Sequence, residues 1–535
     1  MFNNPNPKNY RDVNECTSRG VCSTSPILSA LQELIYLFSQ QSAHYLLKLR
    51  SLGINNESIL KSIIEDIANL IFINEFSDKQ LFEISLKEYT ILSSLKSKYT
   101  NAIENEPNSK AFILDLPIEF DKNINQSAAI SLGEKLFLLK YNKSNSQVRN
   151  LTEILYSEIK CLSYNLLSLS EYSTLDSRGV NLVLNALSIL NKSKLEQEVI
   201  NSCIKKLAKY NCKVKLKIAE NLLETFGPIS KKAVSFTTRQ GKAILVSGNN
   251  LFDLMRVLDL TENKGIDVYT NSNLIIAHCL DKFRKYDNLI GHFASATEGS
   301  IVDFATFPGA ILLADTSKNS SDYLYRGRIY SNDYVIHPGV TPVLNGDYTP
   351  LLDAALNSKG FKKGRAASEI TLGFDKDEII EKFKYISQKL QNGELNHLYI
   401  IGINYFSESQ KHYFEDFFTN LGEQDYVITF SHTAKNSNIL NINVANYIPL
   451  VTYAISLLLK YCDIDNKITF ILTTCDVMTI SSILMLNSLG AKNIYVYPCP
   501  PFIINPAILA FLKTEYGVKE TSNPIKDLLE TKKHP

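Results

Sequence analysis

The spacing of the apolar residues changes once along this chain, and that change restricts the fold more than any other feature. From Pro26 to about Tyr210 the pattern is helical: Ile27, Leu28, Leu31, Leu34, Ile35, Leu37 and Phe38 recur at the three-to-four spacing of an amphipathic helix. Leu151 to Leu169 and Val180 to Leu190 repeat it between polar turns rich in Asn and Ser. After Gly227-Pro228 short β-branched runs alternate with helical segments, the signature of parallel βαβ units. The expected strands are KAILVSG (242–248), GIDVYT (265–270) and GAILLAD (309–315). Beyond a Gly-Lys-Arg-rich linker around Ser358 to Ala367 come HLYIIGI (397–403), YVITFSH (426–432), ITFILTT (468–474) and NIYVYP (493–498). The spacing therefore predicts a multidomain α and α/β chain. A helical-bundle domain spans 1–227, in two three-helix-bundle-like halves, and two α/β domains span 228–365 and 366–535.

With 535 residues, 45% of them hydrophobic, the chain is long enough for several cores. Its 56 basic and 55 acidic residues leave a net charge of +1, too little to draw in nucleic acid or an anionic membrane. The N-terminal MFNNPNPKNYRDVNEC has no apolar export region, and the apolar stretch Tyr447 to Leu459 is shorter than the roughly 20 residues of a membrane helix. Nine scattered cysteines do not form a disulfide framework. A cytoplasmic protein that binds neither membrane nor nucleic acid is expected. No HExxH, CxxC, GxSxG, Walker or strand-following GxGxxG motif is present, so hydrolysis and nucleotide binding have no motif support. Ligands of open α/β sheets gather beyond the carboxyl ends of strands, which directs attention to Asn249, Asn273, Ser317, Asn404, His432 and Asp476.

The runs VSGNNLFDL (246–254), GIDVYTNSNLIIAH (265–278), KYDNLIGHF (285–293) and FPGAILLADTS (307–317) together resemble the hybrid cluster protein (prismane, hydroxylamine reductase) family. RIYSNDYVIHPG (328–339), HYFEDF (412–417), SLGAKNIYVYPCPPFIINPAILAFL (488–512) and GVCSTSPILSALQELI (20–35) fall in the same order, so the resemblance covers nearly the whole chain. It implies a helical domain followed by two Rossmann-like α/β domains, a [4Fe-4S] cubane near the N-terminus, and a hybrid iron–sulfur–oxygen cluster where the domains meet. Members are associated with hydroxylamine and nitric oxide reduction.

Iron–sulfur clusters need thiolate anchors, which amides and hydroxyls cannot replace. Of the four cubane cysteines that the resemblance implies, two match Cys16 and Cys22, while the other two fall on Asn3 and Asn6. At the hybrid cluster, the family's histidine falls on Asn249, its first glutamate on Asn273 and its first cysteine on Ser317. Three further cysteines fall on Asn404, His432 and Ala445, and the Glu-x-Lys pair falls on Asp476 and Met478. Only His432 and Asp476 retain the chemistry to hold a metal, and the sole candidates for a third protein ligand are amide or hydroxyl oxygens of Asn249, Asn273, Asn404 or Ser317. The remaining histidines read as isolated structural residues.

The expected outcome is a divergent relative that has lost its clusters, carries no cofactor, and acts as a pseudoenzyme with a binding or structural role toward an unnamed protein partner. The competing expectation is an oxidoreductase acting on hydroxylamine or nitric oxide through an altered metal centre. A third, a redox dithiol of Cys16 and Cys22, has only Arg19 nearby to stabilise a thiolate. The oligomeric state is not legible.

Overall fold

The computed structural model describes residues 24–104, 113–143, 145–192, 194–294, 300–314, 327–332, 336, 339–402, 411–430, 437–445, 447–463, 467–473, 477–497 and 506–532. In chain order its first elements are α1 (Pro26–Ser51), α2 (Glu57–Asn69), α3 (Asp78–Glu104), α4 (Gln126–Lys143), α5 (Ser146–Ser170), α6 (Ser177–Ile189) and α7 (Gln197–Phe226). Then come β1 (Lys232–Ser235), β2 (Lys242–Gly248), α8 (Leu251–Thr261), β3 (Ile266–Asn271), β4 (Leu289–His292), α9 (Ser300–Thr306), β5 (Ala310–Ala314), β6 (Ile329–Ser331) and β7 (Thr341–Pro342). They are followed by α10 (Thr349–Asn357), β8 (Glu369–Leu372), α11 (Lys376–Gln391), β9 (His397–Ile401), α12 (Lys411–Thr419), β10 (Asp425–Thr429), β11 (Ile439–Asn441) and α13 (Ile448–Leu458). The last are β12 (Ile468–Leu472), α14 (Val477–Ser488), β13 (Asn493–Val496), α15 (Pro506–Tyr516), β14 (Lys519–Glu520) and α16 (Pro524–Lys532). The chain divides into two compact units, Met1–Ile218 with Thr474–Glu520, and Ala219–Thr473 with Thr521–Pro535.

The first unit is chiefly helical. Its helices begin where the sequence supplies caps: Ser25 Oγ accepts from the Leu28 N–H at 3.2 Å, and Pro26 occupies the first turn, where no N–H is needed. Asn145 and Asp176 cap α5 and α6 in the same way. The spacing in α1 predicts one apolar face, yet every residue from Leu28 to Ala43 is buried. The reason is that α3, α4 and α6 all pack on α1, so its polar side chains must find partners inside. Lys140 Nζ reaches Glu33 Oε2 at 2.5 Å, Gln41 Nε2 donates to the Asp115 carbonyl at 3.0 Å, and Gln40 Nε2 donates to the Tyr156 hydroxyl. Helices α14 and α15 pack on α5, and β13 pairs parallel with β14.

The second unit holds a parallel sheet in the order β4-β3-β2-β5-β6-β7. Ile244, Leu245 and Val246 are wholly buried, as expected of a strand covered on both faces. On one face Leu245, Tyr269, Phe304, Phe307 and Ile311 form a continuous core. Gly309 cannot be replaced without distortion, because a Cβ there would lie 1.9 Å from the Ala243 carbonyl oxygen. Four more parallel strands run in the order β11-β10-β9-β12. All seven strands expected from the sequence are present; the short β1, β4, β6, β7, β8, β11 and β14 were not anticipated. Among the described residues no strand precedes β1.

Candidate functional site

In the first sheet the chain reverses its direction of winding between β2 and β5, which opens a crevice beyond their carboxyl ends. Gly248, at φ +138°, ends β2, and the Ala314 carbonyl at the end of β5 accepts the N–H groups of Asn249 at 2.8 Å and Asn250 at 3.1 Å. Asn250 then caps α8 by accepting from Phe252 and Asp253. These bonds fix Asn249 at the switch point. Asn273 lies in the 3-10 segment Ser272–Cys279 that follows β3, just after Ser272 at φ +60°. Its Nδ2 donates to Asn249 Oδ1 at 2.8 Å. Two positions 24 residues apart, both marked by the sequence, are thus joined.

Behind this pair the strand ends carry a polar ladder. Ser247 Oγ donates to Asn271 Oδ1 at 2.8 Å, and Asn271 Nδ2 donates to the Phe293 carbonyl at 2.7 Å and Asp303 Oδ2 at 3.3 Å. Thr270 Oγ1 lies between His278 Nε2, at 3.0 Å, and His292 Nδ1, at 2.9 Å. The expectation that these two histidines are isolated is therefore corrected: parallel pairing sets Thr270 opposite His292, and the 3-10 segment returns His278 to the same hydroxyl. Burial pushes the His278 imidazole down to about 4 and that of His292 to about 3, the latter also opposed by His278. Neutral rings held by one hydroxyl are structural ties, not exposed acid–base groups.

Ala445 stands at φ +51°, a left-handed conformation unusual for alanine, and its N–H donates to Asn443 Oδ1 at 3.2 Å. In the first unit, half-buried Met478 lies in the first turn of α14, with its Sδ 3.7 Å from Cys161 Sγ. Asn3, Asn6, Cys16, Cys22, Ser317, Asn404, His432 and Asp476 lie outside the described residues.

A second polar cluster, which the sequence reading did not mark, is buried in the first unit. Asn211 Nδ2 donates to Glu158 Oε1 at 2.9 Å and lies 3.1 Å from Ser481 Oγ, while its Oδ1 accepts from Asn165 at 2.8 Å. Burial raises the Glu158 carboxyl to about 7 despite Lys215 nearby. Cysteines 161, 203, 212, 279 and 462 are buried, and burial raises the Cys203 thiol to about 11 and that of Cys279 to about 12, which makes those two poor nucleophiles.

The Prismane/CO dehydrogenase family model matches residues 12–442. The chain is a member of the Prismane/CO dehydrogenase family. It is also similar to the solved structure titled NiZn[Fe4S4] and NiNi[Fe4S4] clusters in closed and open alpha subunits of acetyl-CoA synthase/carbon monoxide dehydrogenase. That likeness has a TM-score of 0.48 and 9% identity, covering 94% of this chain and 81% of that one, and nothing is inferred from it. No helix among the described residues is long and apolar enough to cross a membrane.

Iron–sulfur clusters are the cofactors this family suggests, and the four described positions do not fit one. Asn249 and Asn273 offer neutral carboxamides that bond to each other, Ala445 offers no donor, and Met478 offers a thioether beside a buried thiol. Among the described residues no three His, Cys, Asp or Glu side chains converge as a metal site.

Proposed function

We propose that this member of the Prismane/CO dehydrogenase family is a pseudoenzyme: it has lost the hybrid cluster and the cubane, and its scaffold serves a binding or structural role. The observation that carries the reading is the 2.8 Å hydrogen bond between Asn273 and Asn249. The histidine and glutamate that the resemblance implies at these positions would direct an imidazole and a carboxylate at iron. Here one uncharged amide donates to another. The loss of thiolate positions at Ser317, Asn404 and Ala445 and at Asn3 and Asn6 points the same way. His432 and Asp476 alone are too few to rebuild a centre for hydroxylamine or nitric oxide reduction.

Anaerobically purified protein is expected to lack iron and labile sulfide, to show no charge-transfer absorption, and not to reduce hydroxylamine with reduced methyl viologen. Stoichiometric iron and sulfide with turnover would overturn the reading and favour the oxidoreductase.

A further inference from the structure

We propose that the exposed face of α7 is a docking surface for an acidic helix of a protein partner; the inference rests on the binding role proposed above and names the class of partner. Lys205, Lys209, Lys213 and Lys217 follow one another at four-residue intervals, with Lys206 beside them, and all five are exposed. At 1.5 Å per residue the row is about 18 Å long, with a charge roughly every 6 Å. Like charges at this spacing oppose the helix that carries them.

Several exposed lysines elsewhere are paired along their own helix. Lys61, Lys79 and Lys526 each stand four residues before a glutamate and pair with it. None of the five lysines of α7 has an ion pair or hydrogen bond among the described residues. The interior face of the same helix is conventional, with Ile204, Leu207, Ala208 and Val214 buried. Core packing therefore accounts for the apolar side, and no partner among the described residues accounts for the charged one. A groove of about 550 Å³ runs beside the upper part of the row, lined by Asn201, Ser202, Lys205, Lys206 and Lys209, with Glu198 as its one acidic group among the described residues.

The geometry favours a helix over other anions. A partner helix bearing Asp or Glu at every fourth position has the same 6 Å pitch, roughly, so each ammonium meets one carboxylate. Base stacking would need an exposed aromatic, but Tyr210 has its hydroxyl tied to Asp176 at 2.7 Å and Arg178 over its ring at 5.7 Å. A net charge of +1 adds no long-range field for a polynucleotide. Membrane docking would need apolar side chains beside the lysines, and the large exposed hydrophobic residues all lie elsewhere among the described residues.

The test uses the full chain, a Lys205→Glu/Lys209→Glu/Lys213→Glu variant, and a variant with Gln at the same three positions in case the reversal disturbs folding. The probe is a fluorescent, alanine-based helical peptide of about 20 residues with Glu at every fourth position. Its scrambled isomer, an oligothymidylate and phosphatidylserine-containing vesicles are the comparisons. The regular peptide is expected to bind best, to lose about tenfold or more in affinity to the Glu variant and less to the Gln variant, and to weaken between about 50 and 200 mM salt. Equal binding of the scrambled peptide, unchanged binding to both variants, or tighter capture of the oligonucleotide or vesicles would overturn the proposal. Iron and sulfide are measured on the same preparation. An iron-loaded protein whose binding still depends on the row sinks the pseudoenzyme reading alone; an iron-free protein without such binding sinks the docking surface alone.

Discussion

At the residue scale, the positions that the resemblance marks, and the histidines near them, carry consequences of their own. Ala445 holds a left-handed backbone, which costs an L-residue with a Cβ roughly 1 kcal/mol relative to glycine. Ala445→Gly is therefore expected to stabilise the protein by up to about 1 kcal/mol, less the added freedom of the unfolded chain, as read from urea midpoints. His278 and His292 give a pH signature. Their folded pKa values lie near 4 and 3, below the ordinary 6.5, so the unfolded chain takes up protons first as pH falls. Stability is complete above about pH 6.5 and is lost through the window from there toward 4 and 3, at about 1.4 kcal/mol per pH unit for each histidine. His292→Leu should halve that slope between about pH 6 and 5. An unchanged slope would show that other groups dominate acid unfolding.

At the element scale, the helices and strands were largely legible because each has a period and an end signal. The runs at 242–248 and 468–474 have apolar centres without alternation, at 243–246 and 470–472, as strands covered on both faces should, and Ser25-Pro26 marks the start of α1. The pairing of Asn249 with Asn273 could be anticipated as a shared neighbourhood beyond the strand ends, but not as a hydrogen bond, since that depends on the 3-10 turn after β3. The Thr270–His278–His292 tie and the polar surroundings of α1 were hidden because periodicity reports which face is apolar, not how many neighbours surround a helix. Glu88 on α3 illustrates this. It is fully buried, accepts from Ser39 Oγ of α1 at 2.8 Å, and feels the carboxylate of Asp66 of α2, which Lys87 Nζ reaches at 2.8 Å. Burial, then the Asp66 carboxylate, hold its carboxyl well above the usual range, against the pull of Ser39 and Lys87. A raised carboxyl pKa means that the folded state keeps a proton the unfolded chain releases, so this contact weakens as pH rises from about 4.5 through the folded value. Glu88→Gln retains a donor for Asp66 and an acceptor for Ser39. Its stability relative to wild type should therefore increase from pH 5 to pH 8, and a constant difference would mean that Glu88 carries no proton.

At the scale of the whole molecule, the question is what holds a cluster-binding scaffold together if the clusters are gone. A prosthetic group that binds only the folded chain adds stability in proportion to its affinity, and its removal usually costs several kcal/mol. Where the resemblance implies a histidine and a glutamate, Asn249 and Asn273 carry neutral amides joined by one hydrogen bond, a local arrangement that needs no ion to offset buried charge, whereas an imidazole and a carboxylate would bring titratable groups into a partly buried position. The same logic extends to Met478, whose thioether packs on Cys161 where a lysine ammonium would need a counter-charge. If this replacement is general, the protein should melt at the same temperature with and without an iron chelator, and reconstitution with ferrous iron and sulfide should leave that temperature unchanged. Asn249→His together with Asn273→Glu should lower it, by about 1–3 kcal/mol in stability, because an imidazole and a carboxylate cost more to desolvate than two neutral amides even where they pair with each other. A double variant more stable than wild type after iron–sulfide reconstitution would mean that the crevice still accepts a metal once those two side chains are supplied.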